Sequence, residues 1–367
     1  MCVYMNKNKL TVCYFGNYNP NYSRNRVLIN GLKENKIKVI ECNQREKRWK
    51  YIKLFLQHWK IRNNYDFIIV GFPGHTVIWL AKLISKKPVI FDAFLSLYDS
   101  LVFDRKVCSN KSFKAKYYYF LDWLSCKLAD KILLDTKSHI NYFIDTFGIR
   151  RAKFDYIYIG TTPNIFYPYA KKKEKNTFVV HFHGTGIPLQ GIEYILDSAK
   201  ELEKFPEIKF NIIGNVQTLP AIRERINRYK FKNVNFIKPI SIKKLADYIN
   251  ASDIVLGIFG TTEKAKRVIP NKIFEGLACA KPIITSKTPA IEELLTDKKN
   301  CLLTKPGDPQ DLSNKILELK NNPILREKLA QNGYQLFKKK LTPKVLGSKL
   351  KKIIYENYLH CQCQNPN

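Results

Sequence analysis

Acidic residues are scarce for a chain of this length. Against 63 Lys+Arg there are 31 Asp+Glu, a formal +32 over 367 residues. Such a balance argues against cationic partners. It points to an anionic one: nucleic acid, an anionic membrane surface or a phosphorylated small molecule. Also missing is any uninterrupted run of about 18 apolar residues, which excludes a membrane-spanning helix. The nine cysteines follow no repeated spacing. Their one tight pair, Cys361 and Cys363, has no second pair to complete a zinc site. The opening "MNKNKLTVCYFG" turns straight into a strand and has no apolar core of a signal sequence, so reduced thiols in the cytosol are expected. No aspartates stand one residue apart as D-x-D; Asp308 and Asp311 are the nearest on one segment. Internal repeats and low-complexity stretches are absent as well.

What is present is an alternation. Hydrophobic residues make up 45% and charged residues 26%, ordinary for a soluble chain that buries sizeable cores. Short apolar runs trade places with longer helical patterns, the mark of a parallel sheet with crossover helices. In the first half the strands read "LTVCYFG", "KVIECN", "DFIIVGF", "KPVIFDAF", "KILLDT" and "FDYIYIG". After "YPYAKKKEKN" (167–176), charged and aperiodic like a linker, the alternation resumes with "TFVVHFHG", "KFNIIGN", "VNFIKP", "DIVLGIFG", "KPIITS" and "NCLLTK". The expected fold class is α/β: two doubly wound, Rossmann-like domains, residues 1–168 and 169–342, facing a cleft. Residues 1–175 hold 32 basic against 13 acidic residues, the remainder 31 against 18, so the first domain is the more basic. Ligands of such sheets bind beyond the carboxyl ends of the strands, and the loops there are where candidate residues are sought.

One such loop leads into "VIPNKIFEGLACAKPIITS" (268–286). Pro270 suits the start of a helix, where its missing N–H has no helical partner. Asn271, Lys272 and Glu275 then crowd the first turn. A carboxylate there can simply complement the helix dipole. A lysine there opposes the dipole, so an anionic ligand explains it better. A carboxylate can also accept from two neighbouring hydroxyls such as a ribose presents, while the lysine meets a diphosphate. In "FHGTGIPLQG", Gly184 and Gly186 follow a strand and either let backbone N–H groups approach a phosphate or merely make a tight turn. In "FGNYNPNYSRN", Gly16 opens a loop and Arg24 is either an anion clamp or a surface arginine beside a turn. Asp92 follows the strand "KPVIF" and should emerge on the loop at the cleft, His75 in "GFPGHT" is also on a post-strand loop, and His183 stands beside Gly184; a lone histidine is more often structural.

These segments resemble a known family. "PNKIFEGLACAKPIITSKTPAIEELL" with "NCLLTKPGDPQDLSNKILEL" looks like the donor-binding domain of retaining glycosyltransferases of family four, the group 1 type with two Rossmann-like domains (the B-type fold). "GTGIPLQGIEYILDSAKEL" (184–202) is similar to the family's loop and helix facing the donor diphosphate, and the N-terminal half resembles the acceptor-side domain more loosely. The resemblance implies transfer of a sugar from a nucleotide-sugar to an acceptor hydroxyl with retention. Glu275 then binds ribose, and Asp92 lies near the anomeric carbon, with His75 as a further catalytic candidate. Donor contacts come from His183, Gly184, Thr185, Gly186, Gln190, Arg267, Asn271 and Lys272. Gly16 and Arg24 lie on the phosphate or acceptor side. Helix 343–360 is expected to cross back to the first domain. Departures are visible: Arg267 stands where a second glutamate is usual, and Thr185 and Gln190 where an arginine and a lysine are. Arg267, Lys272 or Arg24 must then supply the positive charge. Without D-x-D, no metal and no other cofactor is expected, the leaving nucleotide being stabilised by protein cations and helix N-termini.

Residues 43–62, "NQREKRWKYIKLFLQHWKIR", hold seven basic residues and four aromatics. At about 100° per residue, Trp49, Ile52, Phe55, Leu56 and Trp59 share one face and Lys50, Lys53 and Lys60 another. The plain expectation packs the apolar stripe on the first sheet; the sharper one lays the helix on anionic lipid. Together these readings describe a cytoplasmic transferase, peripheral on the inner face of the cytoplasmic membrane, with a glycan or lipid-linked acceptor in cell-envelope polysaccharide or glycolipid synthesis. Rival readings are a nucleotide-sugar epimerase on the same scaffold, an inactive membrane-bound scaffold and a basic nucleic-acid binder. Against the last, no nucleic-acid motif appears, so no nucleic-acid partner is expected.

Overall fold

The computed structural model describes residues 10–46, 48–216 and 220–364, the last helix beyond Glu356 by its backbone alone. Lys47, the first residues of "MNKNKLTVCYFG" and the side chains of Cys361 and Cys363 lie outside what is described. The chain forms two units. One comprises the residues up to Val102, Cys108–Gly160 and the chain from Thr342 on; the other comprises Phe103–Val107 and Thr161–Leu341. Segment 167–176 runs along the second unit rather than acting as a free linker. Tyr169 Oη donates to Asp247 (2.6 Å), its N–H donates to Asn250 (3.1 Å), and Lys173 pairs with Asp253 (2.6 Å).

In the first unit the chain runs β1 (Thr11–Gly16), α1 (Ser23–Glu34), β2 (Lys38–Asn43), α2 (Lys50–Ile61), β3 (Phe67–Val70), α3 (Ile78–Ile84), β4 (Val89–Phe94), α4 (Phe113–Leu128), β5 (Lys131–Leu134), α5 (Lys137–Phe147) and β6 (Phe154–Tyr156). The strands pair in parallel in the order β2-β1-β3-β4-β5-β6. β3 and β4 are buried along their whole length, as strands covered on both faces must be. The strand order reverses between β1 and β3, which puts the ligand-prone crevice of this sheet beyond Gly16 and Gly71.

The second unit continues with β7 (Phe178–His183), α6 (Ile192–Glu201), β8 (Ile208–Ile213), α7 (Pro220–Tyr229), β9 (Val234–Ile237), α8 (Ile242–Asn250), β10 (Ile254–Leu256), α9 (Asn271–Ala278), β11 (Ile283–Ser286), α10 (Pro289–Glu292), β12 (Leu302–Thr304), α11 (Pro309–Asn321) and α12 (Pro323–Lys340). Its parallel sheet runs β12-β11-β10-β7-β8-β9. The reversal falls between β7 and β10, so the crevice lies beyond His183 and Leu256. The expected α/β class, two Rossmann-like sheets with crossover helices, is the observed one.

Helix α13 (Pro343–Gln364) packs on α1 in the first unit. Val27, Leu28 and Leu32 meet Leu346, Leu350 and Ile353 on one face of the sheet. The two helices touch backbone to backbone at Gly31 and Gly347; a Cβ on Gly347 would stand 2.1 Å from the Gly31 carbonyl oxygen. Beneath α1 lies a fully buried ion pair. Arg24 gives two nitrogens to Asp92 (Nη2–Oδ1 2.7 Å) and its third to the carbonyls of Ile157 and Tyr158. Asp92 therefore does not emerge on a post-strand loop: β4 runs on to Phe94 through an irregular register opposite β5, which keeps the carboxylate inside. Arg24 is neither a surface residue nor an open anion clamp, because its donors are taken.

Helix α2 overturns the plain expectation. Only Leu54 and His58 are buried, docking the helix through one leucine and through the His58 contact to Tyr65 Oη (2.5 Å). The apolar stripe looks outward: Trp49 is 60% exposed, Leu56 55% and Trp59 55%. Trp79 and Leu83 on α3, and Phe113 and Phe120 on α4, are exposed too, and Tyr51 joins Trp79 ring to ring at 5.4 Å. Among the described residues no helix is long and apolar enough to cross a membrane.

Two stability outcomes follow from the packing. Gly347→Val forces α1 and α13 apart and is expected to cost about 1–3 kcal/mol in urea unfolding, with exposed Ser348→Ala as the unchanged control. Asp92→Asn leaves the buried guanidinium unpaired and is expected to cost about 3–5 kcal/mol. An Asp92→Asn protein as stable as its parent would show that the charge is not needed there.

Candidate functional site

The candidate site of the second unit is assembled at the carboxyl end of β7. Side chains alternate along a strand, so His181 and His183 project together while Phe182 points to the other face. The chain then leaves the sheet through Gly184, whose N–H donates to Ile213 O (2.9 Å). Gly214 sits so close that a Cβ there would fall 1.9 Å from the Gly184 oxygen. Beyond exposed Thr185 the loop is pinned again, Gly186 N–H donating to Asn215 O (3.3 Å). Gln190 O accepts from Phe259 N–H (3.1 Å), and α6 begins just after Gly191. The loop is thus held at both ends, with its middle open to solvent.

Helix α9 supplies the charges. Pro270 caps it in an extended conformation, and Asn271 is its first residue. Glu275 consequently lies beyond the first turn, where the helix dipole has little hold on it; its partner is a side chain instead. His183 Nε2 lies 2.7 Å from Glu275 Oε2, and both side chains are largely withdrawn from water. Lys272 is buried as well. Its ammonium donates to Gln190 Oε1, lies 3.4 Å from the Gly257 carbonyl and stands 3.9 Å over the Phe182 ring. Burial pushes that ammonium well below the ordinary lysine range, with the charge of Glu275 acting the other way. None of its direct contacts is a carboxylate, so an arriving anion would find a cation without a bonded counter-charge.

The sequence-derived residues divide accordingly. His183, Gly184, Gln190, Lys272 and Glu275 are drawn together, with Thr185, Gly186 and Asn271 at the edges of the same loop and helix. Arg267, in a 3₁₀ turn before α9, lies 3.8 Å from Glu263 and is bonded to neither Lys272 nor Glu275. A cavity of about 500 Å³ bordered by Lys287, Thr304 and Asp311 contains none of these residues. In the first unit Gly16 ends β1 with φ 147°, a conformation that favours glycine. Arg24 and Asp92 are the closed pair described above. His75 is an interior residue and not an open catalytic group. Its Nε2 lies 3.2 Å from Asp122, its ring meets Phe91 edge-on, and Asp122 also accepts from Ser96 and the Leu97 and Tyr98 N–H groups.

Sequence reasoning passed over His181. It is fully buried with Nε2 2.9 Å from His183 Nδ1. The signal was available, since H-x-H within a strand puts both imidazoles on one side. Among the described residues no group of three His, Cys, Asp or Glu is placed to hold a metal ion.

Known proteins resemble this chain in sequence and in fold. Residues 166–336 match the family model for glycosyl transferases group 1. The chain is 26% identical over 165 residues to an uncharacterized glycosyltransferase of Methanocaldococcus jannaschii, covering 43% of this chain and 42% of that one. It is 23% identical over 186 residues to the capsular polysaccharide biosynthesis glycosyltransferase CapM of Staphylococcus aureus, covering 50% and 47%. The matched part spans less than two thirds of these curated relatives. Among solved structures it is similar to HepE of Anabaena in complex with UDP-glucose (TM-score 0.69, 15% identity, 95% of this chain and 100% of that one). It is also similar to the sucrose-phosphate synthase of Thermosynechococcus elongatus (TM-score 0.75, 13% identity, 96% and 100%). At such identities the likeness speaks for the fold, the two Rossmann-like domains of B-type glycosyltransferases. The part of the chain that matches the group 1 glycosyl transferases, residues 166–336, lies in the second unit.

Proposed function

We propose that the protein transfers a sugar from a nucleotide-sugar to an acceptor hydroxyl, with the donor held by the second unit. One observation carries the reading. At the topological reversal of a doubly wound sheet, a histidine-held carboxylate and a buried ammonium lie side by side under a pinned, solvent-open glycine loop. Glu275 accepts from the ribose hydroxyls, as the family resemblance implies. Lys272 and the exposed loop at Thr185, between Gly184 and Gly186, meet the diphosphate, and Asn271 borders the same space. Retention of anomeric configuration follows from the family alone. UDP-glucose on HepE and capsular synthesis by CapM support a nucleotide-sugar donor and a cell-envelope product for this chain.

The acceptor side belongs to the first unit. The outward stripe of α2, with Lys50, Lys53 and Lys60 beside it, favours attachment to an anionic membrane and hence a lipid-linked or membrane-proximal acceptor. Each basic residue near such a surface contributes about 1 kcal/mol, so the three lysines add about 3 kcal/mol to what the apolar stripe supplies.

A thermal-shift screen against nucleoside diphosphates and their sugars is expected to raise the melting point with at least one of them. Glu275→Ala is expected to slow transfer about ten- to a hundredfold, the cost of a lost charged hydrogen bond. Near-normal turnover would remove the ribose assignment. In co-sedimentation, the protein should bind phosphatidylcholine vesicles only when phosphatidylglycerol is included, and less at high salt. Replacing Lys50, Lys53 and Lys60 by Glu should lower that binding at least about tenfold. Equal binding to neutral vesicles would count against the electrostatic attachment.

A further inference from the structure

Below the donor loop a polar chain runs from His181 through His183 to Glu275, with links of 2.9 and 2.7 Å. Its direction can be worked out. A carboxylate only accepts, so His183 Nε2 must carry the proton of the last link. The Nδ1 of a neutral His183 is then an acceptor, and the proton between the rings belongs to His181 Nε2. That leaves His181 Nδ1 a bare lone pair, and this buried atom indeed has no partner. The opposite direction would place an N–H at that atom with nothing to receive it. Burial above all holds the His181 imidazole well below the ordinary histidine range, in keeping with a neutral ring.

The far end of the chain is asymmetric. The bond from His183 is made to Oε2 of Glu275, the carboxylate oxygen that carries its hydrogen bond and ion pair among the described residues, and Oε1 is the other acceptor. We propose that His181 and His183 are positioning residues for Glu275: they tie down one carboxylate oxygen and present the other to the vicinal hydroxyls of a ribose. The inference rests on the donor reading above and extends it. Recognition of the sugar ring would be set by a strand that never touches it, since a glutamate free to rotate loses the orientation that lets one oxygen serve both hydroxyls.

The test is calorimetric titration of the full chain with UDP, GDP and ADP, followed by the tightest of them as its 2′,3′-dideoxy form. The parent is expected to favour the ribose form by about tenfold or more. In His183→Ala and His181→Phe that preference should shrink to within about threefold, with binding of the dideoxy form unchanged. His183→Gln, which keeps an N–H donor, should restore part of it. Nitrogen-15 spectra of the parent should show both histidines as Nε2–H tautomers, a readout that needs no variant to fold. Variants that lose melting temperature but keep the parent's ribose preference would overturn the proposal, as would Nδ1–H tautomers. A parent that binds no diphosphate overturns the donor reading and takes this inference with it. A parent that binds without ribose preference removes the role of Glu275 alone.

Discussion

Keeping two opposite charges almost out of water within one turn of α9 is the constraint on which the second unit depends. An ionised carboxylate or ammonium moved into an apolar interior is costly unless each finds partners, and removing one member of a buried pair costs about 3–5 kcal/mol. Here the partners come from β7, the loop that follows it and the end of β10. His183 takes Glu275; the Phe182 face, the Gly257 carbonyl and Gln190 surround Lys272. The charges do not bond each other, so each keeps capacity for a third party. A directly bonded Lys272–Glu275 pair would be the more comfortable arrangement and the less useful one.

The same contacts bear on the departures from the family pattern. Where an arginine and a lysine are usual in the diphosphate loop, this chain has Thr185 and Gln190. Gln190 Oε1 grips the ammonium of Lys272, so a cation reaches the loop from the neighbouring helix. Arg267 and Arg24, the other candidates to supply it, are engaged elsewhere with Glu263 and Asp92. The cation beside this loop comes from the helix folded against it, which a scan of the loop alone misses.

Every strand quoted from the sequence is a strand in the structure, because runs such as "FIIV" and "FVVHFH" bury both faces and have only one way to pair without losing them. Glu275 and Lys272 were legible for a related reason: a proline-started helix after a buried strand has to begin near the carboxyl edge of the sheet. What failed was finer. Asp92 was placed on a loop because "KPVIF" looked complete, yet β4 continues past it, and only the distant Arg24 makes a buried aspartate there tolerable. His75 lay on the expected loop, but Asp122, far along the chain, turns it into an interior residue. Such outcomes depend on pairs widely separated in sequence, which local pattern cannot see.

The phase of α2 is the most instructive failure. An amphipathic pattern says that a helix has an apolar face, not which body will cover it. The stripe through Trp49, Ile52, Phe55, Leu56 and Trp59 is as regular as any core-facing one, and Leu54 with His58 looks a poor alternative. Yet Leu54 is fully buried and most of the stripe is open to water. Contiguous apolar surface left open on a folded chain marks an interaction site or an aggregation hazard. Lys50, Lys53 and Lys60 along its border oppose self-association through like charge and favour an anionic counterpart. Part of the excess of positive charge in the first half of the chain, uninformative as a bulk number, thereby acquires a place: it flanks apolar surface that this unit leaves open.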